Sequence, residues 1–399
     1  MEEQAFRRWT AGRMKGLPNA PAPQILEQMF GYEAAHLLSP PIATAPCSEA
    51  IEFLDESDLT MTARDAANHA GIAASLSVSD LTLDQLQDDV IALAQTYSCT
   101  APTEVYRRAK DLLGAAQELL ERTQVPRQRA HAYLIAGQSA ALLSAICFDL
   151  GSMSTAVSLA RTSALYGKVI ENGPLQAYAH GTLAFLAFWR GRPSSAVRLV
   201  AAARSFAGIG DTALTRLTVI EARAHGHLGD PEAAGRAIRQ STELDTGIRD
   251  ELHDDISGEF GFPSERVAMS NATTRLLLKD AVGAAAEASR ALHLLESLPA
   301  GQRPLLITTQ AYADLGRARV LQHDLDGAQE ALESVFIVPA EWRGAGVVER
   351  LIAVRADLCG PVLRNASLAI TLGERIEDFL SRSTVRTLGA LNSLAIEGP

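Results

Sequence analysis

The chain has 399 residues, enough for two or three domains of ordinary size or one long repeat array. Apolar residues make up 47% and charged residues 21%, which excludes wholesale disorder, and aromatics at 5% are too sparse for the strands of a β-sandwich or barrel. With 36 Lys and Arg against 47 Asp and Glu the formal charge is −11, so any contact with nucleic acid would have to be local.

The first residues, MEEQAFRRWT, contain no apolar stretch of the kind a secretory signal needs. The Pro- and Ser-containing segment 39–48 (SPPIATAPCS) cannot continue a helix and reads as a linker. Beyond it, residues 104–123 place Val105, Ala109, Leu112, Leu113, Ala116, Leu119 and Leu120 on one helical stripe with charges opposite. The most apolar stretch, 132–148, is shorter than the roughly 20 residues of a membrane span and reads as a buried helix. Four cysteines (Cys47, Cys99, Cys147, Cys359) form no CxxC pair and are expected to be buried apolar side chains in a reducing cytosol. Residues 245–265, with Gly247, Gly258, Gly261 and Pro263 among acidic residues, read as an insertion loop.

Five positions repeat. A small or polar turn residue is followed five residues later by Ala: Gly151/Ala156, Gly191/Ala196, Gly229/Ala234, Lys279/Ala284 and His323/Ala328. Successive turn residues lie 40, 38, 50 and 44 apart. Seven residues before each turn stands Ser144, Ala184, Ala222, Ala272 or Gly316, and seven after each Ala stands Ser163, Ala203, Ser241, Ala291 or Val335. Small residues at these offsets let antiparallel helices, and then neighbouring hairpins, approach closely.

This pattern resembles the tetratricopeptide repeat, in which a small residue sits mid-way along the first helix and the second helix opens with Ala after a tight turn. The resemblance covers about 128–340, with longer helices than the family norm. It implies an all-α, tetratricopeptide-like right-handed helical-hairpin solenoid: N-terminal helices of the array in 49–127, five divergent repeats in 128–343, and a degraded repeat and cap in 344–399. A non-repeating helical bundle is the alternative.

Residues 5–38 resemble the second half of a phage-repressor-like helix-turn-helix domain. The matching parts are Phe6–Trp9 and Gly12, the Pro18–Pro23 loop, a helix over Ile25–Phe30, Gly31, and a short helix over Ala34–Leu38. Regulators from actinobacteria join such a domain to tetratricopeptide repeats. Two helices of the domain, including the one that supports the recognition helix on DNA, have no counterpart in the sequence. Residues 1–38 are thus expected to be a partial helix-turn-helix-like fragment: either the natural start lies upstream, or this is a truncated relative that has lost autonomous DNA binding. The resemblance implies that Arg7, Arg8, Arg13 and Lys15 would touch phosphate or base edges in a complete domain; otherwise they form a solvated basic helix end.

Catalytic patterns are weak. Gly137 to Ala141 (GQSAA) faintly echoes a nucleophile elbow, but lies inside a helical pattern with no strand before it. His225 and His227 lack a partner at metal-ligand spacing, and the cluster Asp250, Glu251, His253, Asp254, Asp255 lacks the register of a calcium loop and reads as a solvated acidic loop. No cofactor is expected and the chain is expected not to be an enzyme.

In tetratricopeptide arrays the first helix of each hairpin lines the concave surface. Counting thirteen back from each turn residue gives Gln138, Tyr178, Arg216, Arg266 and Gln310, and six back gives Ala145, Phe185, Arg223, Thr273 and Arg317. Three and two back add Phe148, Phe188, Trp189 and His227. The candidate ligand groove is therefore Gln138, Tyr178, Phe185, Trp189, Arg216, Arg223, Arg266, Gln310 and Arg317. Guanidinium groups pair with carboxylates and an aromatic wall takes an apolar body, so the expected guest is a peptide or small molecule bearing an acid. The alternative for each arginine is a partner Asp or Glu on the next helix. These expectations describe a cytoplasmic transcriptional regulator that senses an effector and touches DNA only through a complete helix-turn-helix, with self-association into a homodimer compatible and no membrane contact. The second expectation is an adaptor that binds a protein partner and no DNA.

Overall fold

The computed structural model describes residues 7, 11, 19–37, 60–67, 69 and 77–383. The chain divides into two units, Met1–Ala70 and Gly71–Pro399. In the first, α1 (Ala22–Phe30) ends on Gly31 at φ 70°, whose N–H bonds the Glu27 carbonyl, and α2 (Ala34–Leu37) follows with its first N–H on the Glu27 carboxylate. The expected helix, glycine turn and short helix all occur there. Arg7 lies in a helical residue and is exposed, whereas Arg8, Arg13 and Lys15 lie outside the described residues.

The second unit is all-α among the described residues, built of successive hairpins. Helices α3 (Asp80–Thr96) and α4 (Pro102–Arg122) lead into six pairs. The inner members are α5 (Pro126–Asp149), α7 (Gly173–Trp189), α9 (Asp211–Leu228), α11 (Ser264–Leu277), α13 (Leu305–Leu321) and α15 (Ala345–Leu358). The outer members are α6 (Met153–Val169), α8 (Pro193–Ala203), α10 (Pro231–Glu243), α12 (Ala281–Glu296), α14 (Leu325–Phe336) and α16 (Ser367–Ser381). The stretch 344–399 thus contains a full hairpin, α15–α16.

The turn residues explain why each pair folds back. Gly151, Gly191, Gly229, Lys279 and His323 all have positive φ, between 61° and 86°. The next residue's N–H then bonds the carbonyl five back: Ser152 to Cys147, Arg192 to Ala187, Asp230 to His225, Asp280 to Arg275 and Asp324 to Arg319, at 2.7–3.0 Å. This closes the helix with the bond that a left-handed terminal residue permits. In three hairpins the same next residue starts the outer helix, Asp230, Asp280 and Asp324 each accepting from the N–H three residues on.

The small residues sit where the helices meet. Ala156, Ala196, Ala234, Ala284 and Ala328 have no exposed surface, and Ser144, Ala184, Ala222 and Ala272 have none either. A Cβ at Gly316 would stand 2.8 Å from the Leu332 side chain of α14, so this crossing admits only glycine without movement.

The inner helices close on themselves. Each packs on the next, and α15 also packs on α5. At that seam a Cβ on Gly344 would lie 2.9 Å from the Asp149 carbonyl, and Ala345 joins the apolar cluster of Cys147, Phe148 and Ala156. α5 is the one described helix long and apolar enough to cross a bilayer, and most of it is buried within the protein.

Two expectations need correction. Cys47 and the linker 39–48 lie outside the described residues; Cys147 is buried, but Cys99 and Cys359 are exposed, because one falls in a short turn (Tyr97–Cys99) and the other after the end of α15. The acidic cluster is solvated only in part: Glu251 and Asp255 are exposed, but Asp250 and His253 are buried, with Asp250 accepting from the N–H groups of Gly210 and His253 and from the His253 ring.

Candidate functional site

The ring of inner helices encloses a cavity of ≈ 150 Å³, partly open to solvent and lined by residues of all six. Seven of the nine expected groove residues line it: Tyr178, Phe185, Trp189, Arg216, Arg223, Arg266 and Gln310. They converge because positions thirteen and six before the turn are two helical turns apart and so share the inward face.

Two expected residues do not take part. Gln138 on α5 is buried and accepts from Gln87 Nε2 at 2.9 Å, because α3 covers that part of the first inner helix. Arg317 on α13 is turned to Asp357 of α15, Nε to Oδ2 2.7 Å. Of the wider inward set, Thr273 bonds Asp314 and Arg350, and His227 stacks on Phe188 with ring centroids 5.1 Å apart.

One wall is aromatic. Phe148 meets Phe185 edge-on at 4.8 Å and Trp189 at 5.1 Å, and Phe185 meets Phe188 at 5.1 Å. Such edge-to-face contacts fix the rings and leave an apolar surface toward the cavity. The Trp189 indole N–H is buried with no partner.

The polar lining holds four arginines with unequal partners. Arg266 forms a two-pronged pair with Glu259, at 3.0 and 3.2 Å; burial works against its charge, but Glu259 keeps it held firmly above its ordinary value. Arg350 gives Nε to Asp314 Oδ1 at 3.0 Å and its other nitrogens to the Gly346 carbonyl and Thr273. Arg216 lies 4.1 Å over the Tyr178 ring and donates to the Tyr178 carbonyl and Thr182 Oγ1. Room for it comes from Gly181 on α7, where a Cβ would collide with Arg216 Nη1. Arg223 donates one bond, Nη2 to the Ser270 carbonyl at 3.1 Å, while its buried Nε has no partner.

Among the described residues neither Arg216 nor Arg223 has a carboxylate within ion-pair distance, although each is only 7% exposed. Burial and then the charge of Arg350 pull the Arg223 guanidinium down to about 9, with Asp314 opposing, so it remains charged at neutral pH. Its charge also helps burial to push His227 down to about 4.

The same cavity is lined by groups that the sequence reading missed. Asp149 stands two residues before Gly151, the register of Trp189 before Gly191, so its place was legible. Its Oδ2 accepts from the Tyr97 hydroxyl at 3.0 Å; burial, then the Glu259 charge, push its carboxyl up to about 7. Glu259 and Phe262 come from the 244–263 loop, outside the repeat register. That loop is tied down by Asp211, which accepts from the N–H groups of Thr246 and Gly247, and by the Glu259 N–H on the Ala94 carbonyl at 2.9 Å. A Cβ on Gly258, at φ 60°, would collide with Ala94, which is why glycine stands at that crossing. Arg350 belongs to α15, whose turn after Leu358 has no positive-φ residue, so no offset could be counted from it.

No group of three or more potential metal ligands occurs among the described residues. No family model matches the chain, and no curated protein matches it. Among solved structures, the crystal structure of BtubC (BKLC) from P. vanneervenii aligns over 59% of this chain and 90% of its own, with 17% sequence identity and a TM-score of 0.41.

Proposed function

We propose that the chain is a non-enzymatic sensor, the ligand-binding part of a transcriptional regulator, whose cavity takes a small molecule with an acidic group and an apolar body. The observation that supports this best is Arg223: a buried guanidinium lining a cavity, without a carboxylate and with an unbonded Nε. A buried uncompensated cation costs several kcal/mol, and an anionic guest would offset that cost. The aromatic wall beside it supplies the apolar contact.

Occupancy would act through the ring. Arg223 and Arg350 come from helices α9 and α15, on different hairpins, so an anion held by both would draw these hairpins together. Ligand can shift such packing only by its differential affinity for the two arrangements. DNA reading would belong to the helix-turn-helix-like segment 1–38 where that domain is complete. The adaptor reading has less support, since six inner helices and the 244–263 loop leave a partly open cavity of ≈ 150 Å³ rather than a long channel for a partner helix.

A minimal probe is 3-phenylpropionate, an acid with one ring. It should raise the thermal midpoint of the full chain, and Arg223→Gln should abolish that rise. Equal stabilisation of the variant would remove Arg223 from the site. For the DNA arm, a gel shift at stated salt with fragments upstream of the gene, using a chain extended to a full helix-turn-helix, should show retardation that the probe alters; no retardation would end that arm.

A further inference from the structure

Helix α9 carries two buried cations on one face. Arg216 and Arg223 are seven residues apart, two helical turns, which sets their backbone positions about 10.5 Å apart along the axis. Both line the cavity, and among the described residues neither has a carboxylate within ion-pair distance. Val219 and Ile220, three and four residues after Arg216, are buried and line the same cavity. The inner face of α9 thus presents a guanidinium, an apolar turn and a second guanidinium in order.

The two levels have the same charge balance. At the Arg223 level, Arg223 and Arg350 share one carboxylate, Asp314, already bonded to Arg350. At the Arg216 level, the charges that reach it are those of Arg266 and Glu259, which hold each other in their two-pronged pair. Asp149 also feels that pair, but burial and then the Glu259 charge push its carboxyl up to about 7, so below that pH it is mostly neutral. One positive charge is therefore in surplus at each level. Neither guanidinium uses all five of its N–H donors on the protein: Arg216 bonds the Tyr178 carbonyl and Thr182 of α7, and Arg223 the Ser270 carbonyl of α11.

We infer that the cavity is built for a dicarboxylate with an apolar chain between its acids, one carboxylate held by Arg223 with Arg350, the other by Arg216, and the methylenes over Val219 and Ile220. The inference rests on the acid-binding reading above and adds the second acid. A guanidinium–carboxylate hydrogen bond of about 2.8 Å at each end leaves a gap that a diacid of about six carbons bridges. Such a guest offsets the surplus charge at both levels, where a monoacid leaves Arg216 uncompensated.

The test compares three probes on the full chain by isothermal titration at pH 6.5: hexanoate; adipate, which is hexanoate with a second carboxylate at its far end; and succinate, a diacid too short to reach both arginines. Adipate should bind about tenfold or more tighter than hexanoate, and succinate should show no such gain. Arg216→Gln should erase the difference between adipate and hexanoate, and Arg223→Gln should weaken both. If hexanoate binds as tightly as adipate, the diacid inference fails while the acid site stands. If succinate matches adipate, added charge rather than bridging is responsible and the inference is wrong. Binding of none of the three would overturn both readings. Should Arg216→Gln not fold, the comparison of probes on the unaltered chain decides alone; if it folds and keeps the adipate advantage, the second carboxylate does not sit at Arg216 and the inference is wrong.

Discussion

Arg223 and Arg350 face the same cavity, and the one carboxylate near both, Asp314, is bonded to Arg350 at 3.0 Å. Two guanidinium groups thus repel across a buried space with half the compensation they need. Replacing Arg223 by Met, which keeps much of the volume and none of the charge, should raise the stability of the unliganded protein by about 1 kcal/mol or more in urea unfolding. A loss of stability of that size would mean the Ser270 bond matters more than the repulsion.

Asp149 makes stability fall with rising pH. Its folded-state value of about 7 lies above the ordinary 3.8, so the native protein keeps a proton that the unfolded chain releases. That contribution is complete below about pH 4 and lost as pH climbs through 7. Asp149→Asn can still accept from Tyr97, so the variant should be more stable than the parent at pH 8 and show a flatter profile between pH 4 and 7. Thermal midpoints of both proteins across that range check it.

Lys279 and His323 occupy a left-handed backbone position that glycine fills in the other three hairpins. A Cβ there costs roughly 1 kcal/mol, so Lys279→Gly and His323→Gly should each stabilise the chain by about 0.5–1 kcal/mol, less whatever entropy glycine loses on folding. Chemical denaturation of each variant measures this, and destabilisation by either would show that its side chain does more than tolerate the turn.

Gly181 exists for Arg216. A helical glycine costs about 1 kcal/mol against alanine, yet here a Cβ would strike the guanidinium. Gly181→Ala should therefore destabilise by about 1–3 kcal/mol, and the loss should shrink when Arg216→Met is made in the same chain. Additive effects in the double variant would separate the two residues.

These contacts also mark what could be read in advance. The hairpin register was legible because turns and helix crossings are local and steric: a positive φ and a missing side chain leave traces at fixed offsets. Tyr178, Arg216, Arg223 and Arg266 were placed on the inner face by that register together with the tetratricopeptide resemblance, which implies that the first helix of each hairpin faces inward. Gln138 and Arg317 misled because the register says which way a residue faces but not what covers it, here Gln87 of α3 and Asp357 of α15. Glu259 could not be found at all, since its position depends on a 244–263 loop whose Glu259 N–H is tied to the Ala94 carbonyl, 165 residues away in sequence.

The central claim is that the cavity holds an anion through Arg223. Native mass spectrometry of the chain purified from cells, without refolding, addresses it directly. A non-covalently bound acid on the parent protein, absent from Arg223→Gln prepared alongside, is the expected result; a bare parent protein, or an adduct equally present on the variant, would contradict it.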